Sequence, residues 1–214
     1  MSKPRILLAD DHQIVIQGLR ALLEPEFELA GSAADGRQLV EMARSLRPDV
    51  IVADISMPLL NGIDACRQLR EEESNAKVIF LTMHPDPSYA TRALDAGALG
   101  YVLKHSAAEE LVAAIHAALR GERYVTPQLR TPAMDEFLDE TRRHAKETIE
   151  LTARQREVLQ LLAEGKSAKE IGALLDISPR TVETHKYKMM DDLGLKTSAQ
   201  LVRYAIERGL VSGI

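Results

Sequence analysis

Short apolar runs and segments of helical periodicity alternate over the first 124 residues of the chain. The runs are rich in Ile, Leu and Val without polar alternation, which is typical of strands buried on both faces of a parallel sheet. Between the runs, apolar residues recur at three- and four-residue spacing, which indicates amphipathic helices. The predicted strands are Ile6 to Ala9, Phe27 to Ala33, Val50 to Ala53, Val78 to Leu81 and Tyr101 to Leu103, and the predicted helices are 13–23, 36–46, 62–73, 86–96 and 107–120.

This alternation of strand and helix predicts an α/β domain. Right-handed crossovers between parallel strands place the helices on both faces of the sheet. We therefore expect a flavodoxin-like, doubly wound, five-stranded parallel sheet with the strand order 2-1-3-4-5.

The pattern becomes purely helical from Leu151 onward. Thr152 and Gln155 have the spacing of a capping box, and Ser178-Pro179 combines an N-cap with a first-turn proline. Two short helices separated by 176–178 match a helix-turn-helix, and a fourth helix is predicted from Ser198 to Arg208, closed by Gly209. The C-terminal domain is therefore predicted to be an all-α, four-helix unit.

The stretch between the two patterns contains two prolines and several charge runs. Such composition indicates a linker, within which 134–145 has the pattern of a short helix. We predict one domain at 1–124, a linker at 125–148 and a second domain at 149–214.

Composition narrows the classes of protein that the chain can belong to. The single cysteine, Cys66, excludes a disulfide framework and a CxxC metal site, and its position on a predicted helix favours core packing. No apolar stretch reaches the roughly 20 residues of a membrane-spanning helix, so we expect a cytoplasmic protein without membrane contact. Residues 150–214 hold ten Lys and Arg against nine Asp and Glu, so charge alone does not identify a DNA-binding domain.

Five polar side chains directly follow the apolar runs: Asp10, Asp11, Asp54, Thr82 and Lys104. In a parallel sheet, the carboxyl ends of the strands meet at one edge, where ligands bind. Three carboxylates, a hydroxyl and an ammonium at that edge suit one task, which is to hold Mg2+ beside a phosphoryl group.

These residues and their neighbours resemble a bacterial response-regulator receiver domain. The C-terminal part resembles a LuxR-type helix-turn-helix, and the order of the two on one chain is that of the NarL/FixJ family of two-component response regulators. The receiver motifs are Asp10-Asp11, Asp54-Ile55-Ser56-Met57-Pro58, Asn61-Gly62, Thr82, Tyr101 and Lys104, and the helix-turn-helix motifs are Leu151 to Leu159, Gly165 to Ile171 and Thr181 to His185.

The resemblance implies a role for each residue of the receiver motifs. Asp54 is the phosphoacceptor, which takes a phosphoryl group from a sensor histidine kinase, and Lys104 pairs with a phosphoryl oxygen. Thr82 and Tyr101 are the switch residues that respond to the new charge. Mg2+ is held by Asp10, Asp11, Asp54 and the main-chain carbonyl of Ser56.

The resemblance also implies that the protein is a transcription regulator and not an enzyme. Because the small net positive charge of residues 150–214 predicts weak binding by one domain, we also expect phosphorylation to favour a homodimer that binds double-stranded DNA, with RNA polymerase as a further candidate partner. Ser56 and His84 stand two positions past Asp54 and Thr82, so we expect their side chains to influence water access to the acyl phosphate and therefore its lifetime.

Helical winding of residues 180–193 separates a core stripe from an exposed face. The stripe consists of Val182, His185, Met189 and Leu193. A recognition helix reads base edges from its early exposed positions, which makes Glu183, Thr184 and Tyr187 the candidates for base contact. The candidates for phosphate contact are Arg180, Lys186 and Lys188, assisted by Lys166 and Lys169.

Two other functions are compatible with parts of the pattern. A receiver could act through protein contact alone, with its helical tail serving as a dimerisation or kinase-inhibiting module. A flavodoxin-like enzyme could bind a nucleotide, but residues 10–13 after the first strand contain no glycine-rich phosphate loop, which disfavours this alternative.

Overall fold

The structure is a computed structural model, which describes residues 3–130, 151–208 and 210–211. The described residues fall into two compact units, an N-terminal α/β unit and a C-terminal helical unit. The predicted short helix at 134–145, most of the predicted linker and the closing Gly209 lie outside the described residues.

The N-terminal unit contains a parallel sheet with the order β2-β1-β3-β4-β5-β6, which confirms the predicted order 2-1-3-4-5. A two-residue sixth strand, which the apolar pattern did not predict, extends the sheet beyond β5. The strands are β1 Arg5–Ala9, β2 Glu28–Ala33, β3 Val50–Ala53, β4 Lys77–Thr82, β5 Gly100–Leu103 and β6 Tyr124–Val125.

The helices of this unit follow β1 to β5 in alternation. They are α1 Gln13–Leu23, α2 Gly36–Leu46, α3 Gly62–Glu71, α4 Pro87–Asp95 and α5 Ala107–Leu119. Asp35 caps α2 by accepting hydrogen bonds from the N–H groups of Arg37 and Gln38, and Asp86 caps α4 in the same way through Ser88. These side chains satisfy donors that a helix leaves unpaired at its first turn.

Both faces of the sheet are buried. On one face, Ile6 and Leu8 of β1 belong to a core cluster that also contains residues of α1 and α5. The intervening Leu7 points to the other face, because side chains alternate along a strand, and it is also fully buried. Burial on both faces explains why the strands read as continuous apolar runs in the sequence.

The single cysteine is a core residue, as the sequence predicted. Cys66 lies on α3 with 2% of its surface exposed. Burial raises the pKa of its thiol to about 12, so the thiol stays protonated at neutral pH. An uncharged buried thiol behaves as a small apolar side chain.

The C-terminal unit consists of α6 Ala153–Ala163, α7 Ala168–Leu175, α8 Pro179–Asp192 and α9 Ser198–Glu207. The predicted capping box of Thr152 and Gln155 is confirmed at the start of α6. Val182 and Met189 of the predicted core stripe are fully buried, whereas His185 and Leu193 remain partly exposed. The unit thus confirms the predicted four-helix architecture, with α7 and α8 as the helix-turn-helix pair.

No helix among the described residues has the length and apolar character that crossing a membrane requires.

Gly62 is expected to tolerate no side chain, whereas Gly18 should accept one. A methyl group at Gly62 would lie 2.2 Å from the main-chain oxygen of Asp54 and 2.9 Å from the Phe80 ring. Gly62→Ala should therefore destabilise the α/β unit by about 1–3 kcal/mol, as overpacking does elsewhere. Gly18→Ala, inside α1 and in open space, should be neutral or stabilise by up to about 1 kcal/mol. Urea unfolding of both variants checks this pair, and equal stabilities would contradict it.

Candidate functional site

Strand register brings four of the predicted site residues to one edge of the sheet. Ala9 of β1 pairs with Ala53 of β3, so the following residues, Asp10 and Asp54, are neighbours. At the other side of the same edge, Thr82 of β4 pairs with Leu103 of β5, which directly precedes Lys104. The position at which each apolar run ends in the sequence therefore determines which polar side chains meet at this edge.

Lys104 joins the two carboxylates at this edge. Its ammonium nitrogen lies 2.7 Å from Oδ2 of Asp10 and 2.7 Å from Oδ2 of Asp54. The side chains of the three residues are 13%, 2% and 7% exposed, respectively, so the cluster is mostly removed from solvent. The second oxygen of each carboxylate accepts a main-chain N–H, from His12 to Asp10 and from Ile55 to Asp54.

The single positive charge of Lys104 does not neutralise the two carboxylates of this cluster. Burial raises the pKa of Asp54, and the hydrogen bond and charge of Lys104 oppose this increase only in part. Burial alone would lower the pKa of Lys104, but its hydrogen bonds to Asp10 and Asp54 outweigh that effect and raise it. Two buried carboxylates thus share one cation, and a further positive charge would stabilise their ionised forms.

Oxygen ligands for a cation are available beside this pair. Among the described residues, ligand atoms of Asp10, Asp11 and His12 lie within 4.8 Å of one another, and Asp54 is linked to Asp10 through Lys104. The donor set is rich in carboxylates and fits a hard divalent cation such as Mg2+. His12 was not among the predicted ligands; it is near because its main-chain N–H and ring both contact Asp10.

The two predicted switch residues both bond to His84. Thr82 is fully buried, and its Oγ1 accepts a hydrogen bond from the His84 main-chain N–H at 3.3 Å. Tyr101 is also fully buried, and its hydroxyl donates to the His84 carbonyl at 2.9 Å. Thr82 thus contacts the main-chain N–H of His84, and Tyr101 contacts its main-chain carbonyl.

The side chain of His84 connects the β3 end of the site to α4. Its Nε2 lies 2.8 Å from the Ser56 hydroxyl, and its ring stacks on Tyr89 with centroids 4.4 Å apart. The guanidinium carbon Cζ of Arg92 lies over the Tyr89 ring, 4.4 Å from its centroid. Burial lowers the pKa of His84, so the imidazole is neutral at pH 7. The sequence offered no periodic signal for Tyr89 or Arg92, because their contact depends on how the loop before α4 folds.

The predicted DNA-facing residues lie on α8 and at the start of α7, except Lys166, which precedes α7. Tyr187 is 62% exposed, and Arg180, Thr184, Lys188 and Lys169 are exposed as well. Lys166 is only partly exposed. The exposed residues are accessible to a ligand that approaches this face of the recognition helix.

Two of the candidates are already engaged within α8. Glu183 and Lys186 form an ion pair at 2.5 Å, and the Lys186 ammonium also lies 4.9 Å from the centroid of the Tyr187 ring. Both charges are thus partly compensated by each other. A DNA ligand would have to compete with this pair for either side chain.

Comparison with known families assigns both parts of the chain. Residues 6–116 match the family "Response regulator receiver domain", and residues 150–205 match "Bacterial regulatory proteins, luxR family". The second match identifies the helical unit as a DNA-binding region instead of a contact module alone. The two family matches together place the chain among transcription regulators. They exclude the alternative of a nucleotide-binding enzyme.

Individual relatives match this chain over nearly their full length. The transcriptional regulatory protein LiaR of Bacillus subtilis is 39% identical over 213 residues, which cover 97% of this chain and 99% of LiaR. A structure of the response regulator RcsB in complex with DNA covers 95% of this chain and 98% of RcsB, with 28% identity and a TM-score of 0.57. A structure described as two RcsB dimers bound to two parallel DNAs has 27% identity, the same coverage and a TM-score of 0.57.

The α/β unit thus matches the receiver family, the helical unit matches the luxR family, and the chain is similar to full-length regulators of this kind, so it belongs to the NarL/FixJ family of two-component response regulators, which act as transcription regulators through a LuxR-type DNA-binding domain.

Proposed function

We propose that Asp54 accepts a phosphoryl group from a sensor histidine kinase and that this modification controls DNA binding. The observation that carries the proposal is the position of the Lys104 ammonium, 2.7 Å from a carboxylate oxygen of both Asp10 and Asp54. A cation at that position can pair with an oxygen of a phosphoryl group on Asp54. The reaction needs positioning and charge neutralisation more than covalent chemistry from the protein.

The proposed transfer involves one bond formed and one bond broken. A carboxylate oxygen of Asp54 attacks phosphorus, the P–N bond to the phosphohistidine of the kinase breaks, and its electron pair returns to the imidazole. Asp10, Asp11, Asp54 and the Ser56 main-chain carbonyl would hold Mg2+, which supplies neutralising charge for the phosphoryl oxygens when bound. Lys104 moves its hydrogen bond from Asp54 to the new phosphoryl group.

The proposed switch follows from the contacts of Thr82. An acyl phosphate adds about two negative charges and strong acceptor oxygens close to the Thr82 hydroxyl. Thr82 then donates to the phosphoryl group and gives up its contact with the His84 N–H. Tyr101, whose hydroxyl bonds to the other end of His84, follows that rearrangement. The change reaches the surface at α4 and β5.

On the DNA side, we propose that α8 enters the major groove of double-stranded DNA. Glu183, Thr184 and Tyr187 are the candidates for base contact; Arg180, Lys186, Lys188, Lys166 and Lys169 are the candidates for phosphate contact. The small net charge of this region favours a homodimer, because two linked domains occupy two half-sites. The RcsB dimers on DNA support this choice by homology.

Two further expectations belong to the same proposal. The receiver, linker and DNA-binding domains are assigned to 1–124, 125–148 and 149–214. Because DNA and RNA polymerase are its expected partners, the protein is proposed to work in the cytoplasm.

Phosphorylation should require Asp54 and a divalent cation. Incubation with acetyl phosphate and Mg2+ should add one phosphoryl group to the wild type, and Asp54→Asn should abolish the addition because it removes the attacking oxygen. Chelation of Mg2+ should abolish it as well. Asp95→Asn, an exposed carboxyl at the end of α4, is the matched control and should react like the wild type. Intact-protein mass spectrometry measures the adduct, and its persistence in Asp54→Asn would refute the assignment.

DNA affinity should depend on the exposed face of α8. The double variant Thr184→Ala and Lys188→Ala should lose about 1–3 kcal/mol of binding free energy per contact, and the slope of log affinity against log salt should fall by about one. Lys3→Ala removes an equal charge from the other unit and should leave both quantities unchanged. Mobility-shift titrations at several salt concentrations measure them. Unaltered affinity of the double variant would exclude this face.

The lifetime of the acyl phosphate should depend on His84 and Ser56. His84→Ala removes a ring that is stacked on Tyr89 beside Ser56, so water gains access and hydrolysis should accelerate by about two- to tenfold. Ser56→Ala removes the hydroxyl that contacts the His84 ring and should also accelerate hydrolysis. Ser45→Ala, on the exposed side of α2, is the control. Phosphate release after removal of the donor gives the rates, and identical rates would remove this role.

A further inference from the structure

Thr126 continues the hydrogen bonding between β5 and the short strand β6, first through its main chain and then through its side chain. Thr126 N–H donates to the Tyr101 carbonyl at 2.9 Å, which continues the β5–β6 ladder beyond Val125. The chain then turns away at Pro127, which begins a 3-10 turn. The next donor of β5 is the N–H of Leu103, and Thr126 Oγ1 accepts its hydrogen bond at 3.2 Å. The hydroxyl thus takes the place of a main-chain carbonyl in the ladder.

A second partner fixes the orientation of this hydroxyl. Thr126 is fully buried, and its Oγ1 donates to Oε2 of Glu110 on α5 at 2.8 Å. The Tyr124 hydroxyl donates to the same carboxylate oxygen at 3.2 Å. With its proton directed to Glu110, the Thr126 oxygen presents a lone pair to Leu103. Serine can reproduce both hydrogen bonds, whereas valine, with a similar shape, can make neither.

The chain on the other side of Lys104 is also held. Residues Lys104–Ser106 form a 3-10 turn, whose Ser106 hydroxyl donates to the Leu103 carbonyl at 3.1 Å. The His105 ring nitrogen Nε2 lies 3.0 Å from Oε1 of Gln128. Residues 126–128 therefore contact the residue before Lys104 and the residue after it.

We propose that Thr126 is a positioning residue for Lys104, and this inference rests on the proposed function. The Lys104 ammonium must lie within hydrogen-bonding distance of two carboxylates that follow different strands, although its side chain is long and has many rotamers. The main chain that carries it therefore has to be fixed. Displacements of about 1 Å in a catalytic group are known to cost rate, even when the change lies outside the reacting atoms. Thr126 fixes the main chain through the Leu103 N–H.

Three threonine variants test the proposal on the full-length protein. Thr126→Val should slow phosphoryl incorporation from acetyl phosphate by about tenfold, because the buried Leu103 N–H loses its acceptor and the loop shifts. Thr126→Ser should restore the rate to within about threefold of the wild type, because it keeps the hydroxyl. Thr91→Val, which removes a half-buried threonine hydroxyl from α4, is the matched control and should leave the rate unchanged.

A double-variant cycle distinguishes positioning from general loss of structure. If Thr126 acts through Lys104, Thr126→Val should have no further effect on the rate in a Lys104→Met background. A rate for Thr126→Val equal to that of the wild type would overturn the proposal. A full additional loss in the Lys104→Met background would overturn it as well, because the effect would not pass through Lys104.

Amide hydrogen exchange separates this inference from the proposed function, since it needs no phosphorylation. Thr126→Val should increase exchange at Leu103 and Lys104, and Thr126→Ser should retain the protection of the wild type. If the wild type took up no phosphoryl group, the proposed function would fail, and the exchange result would still decide whether Thr126 fixes the main chain beside Lys104. Unchanged exchange at Leu103 in Thr126→Val would reject that role.

Discussion

The ion pair that Lys104 forms with Asp10 and Asp54 constrains the polar groups at the carboxyl edge of the sheet. Two carboxylates with 2% and 7% of their surface exposed cannot remain ionised without compensation, since burial of a charge is costly. The main-chain N–H groups of His12 and Ile55 and one ammonium supply that compensation. The remaining deficit of positive charge favours the presence of a further cation at this edge.

The sequence predicted the parts of this arrangement that follow from strand periodicity. Where a buried run ends, the next residue leaves the sheet at its carboxyl edge, so Asp10, Asp54 and Lys104 could be placed together before any contact was known. The contacts of His84 could not be predicted in that way, because they depend on the path of a loop. The two-residue strand β6 is too short to produce a periodic signal, and only its pairing with β5 defines it.

The same distinction holds in the helical unit. Winding of α8 correctly placed Val182 and Met189 in the core, because the helical period determines which residues face inward. Helical winding did not reveal that Glu183 and Lys186 form an ion pair. Long charged side chains three positions apart can contact either each other or a ligand. The compensation of these two charges lowers the positive field of a region that already has little net charge. This low positive field is consistent with the homodimer proposed above, in which two domains share the binding.

His84 is bonded at its N–H by Thr82 and at its carbonyl by Tyr101, and this arrangement has a consequence for the switch proposed above. A movement of one aromatic or hydroxyl group leaves a main-chain donor or acceptor of His84 without its partner, so intermediate positions are penalised. Such an element favours two discrete arrangements over a continuum. If Thr82 and Tyr101 act as the proposed switch, the output changes through the fraction of molecules in each arrangement, and partial stimulation gives a mixture of fully off and fully on molecules.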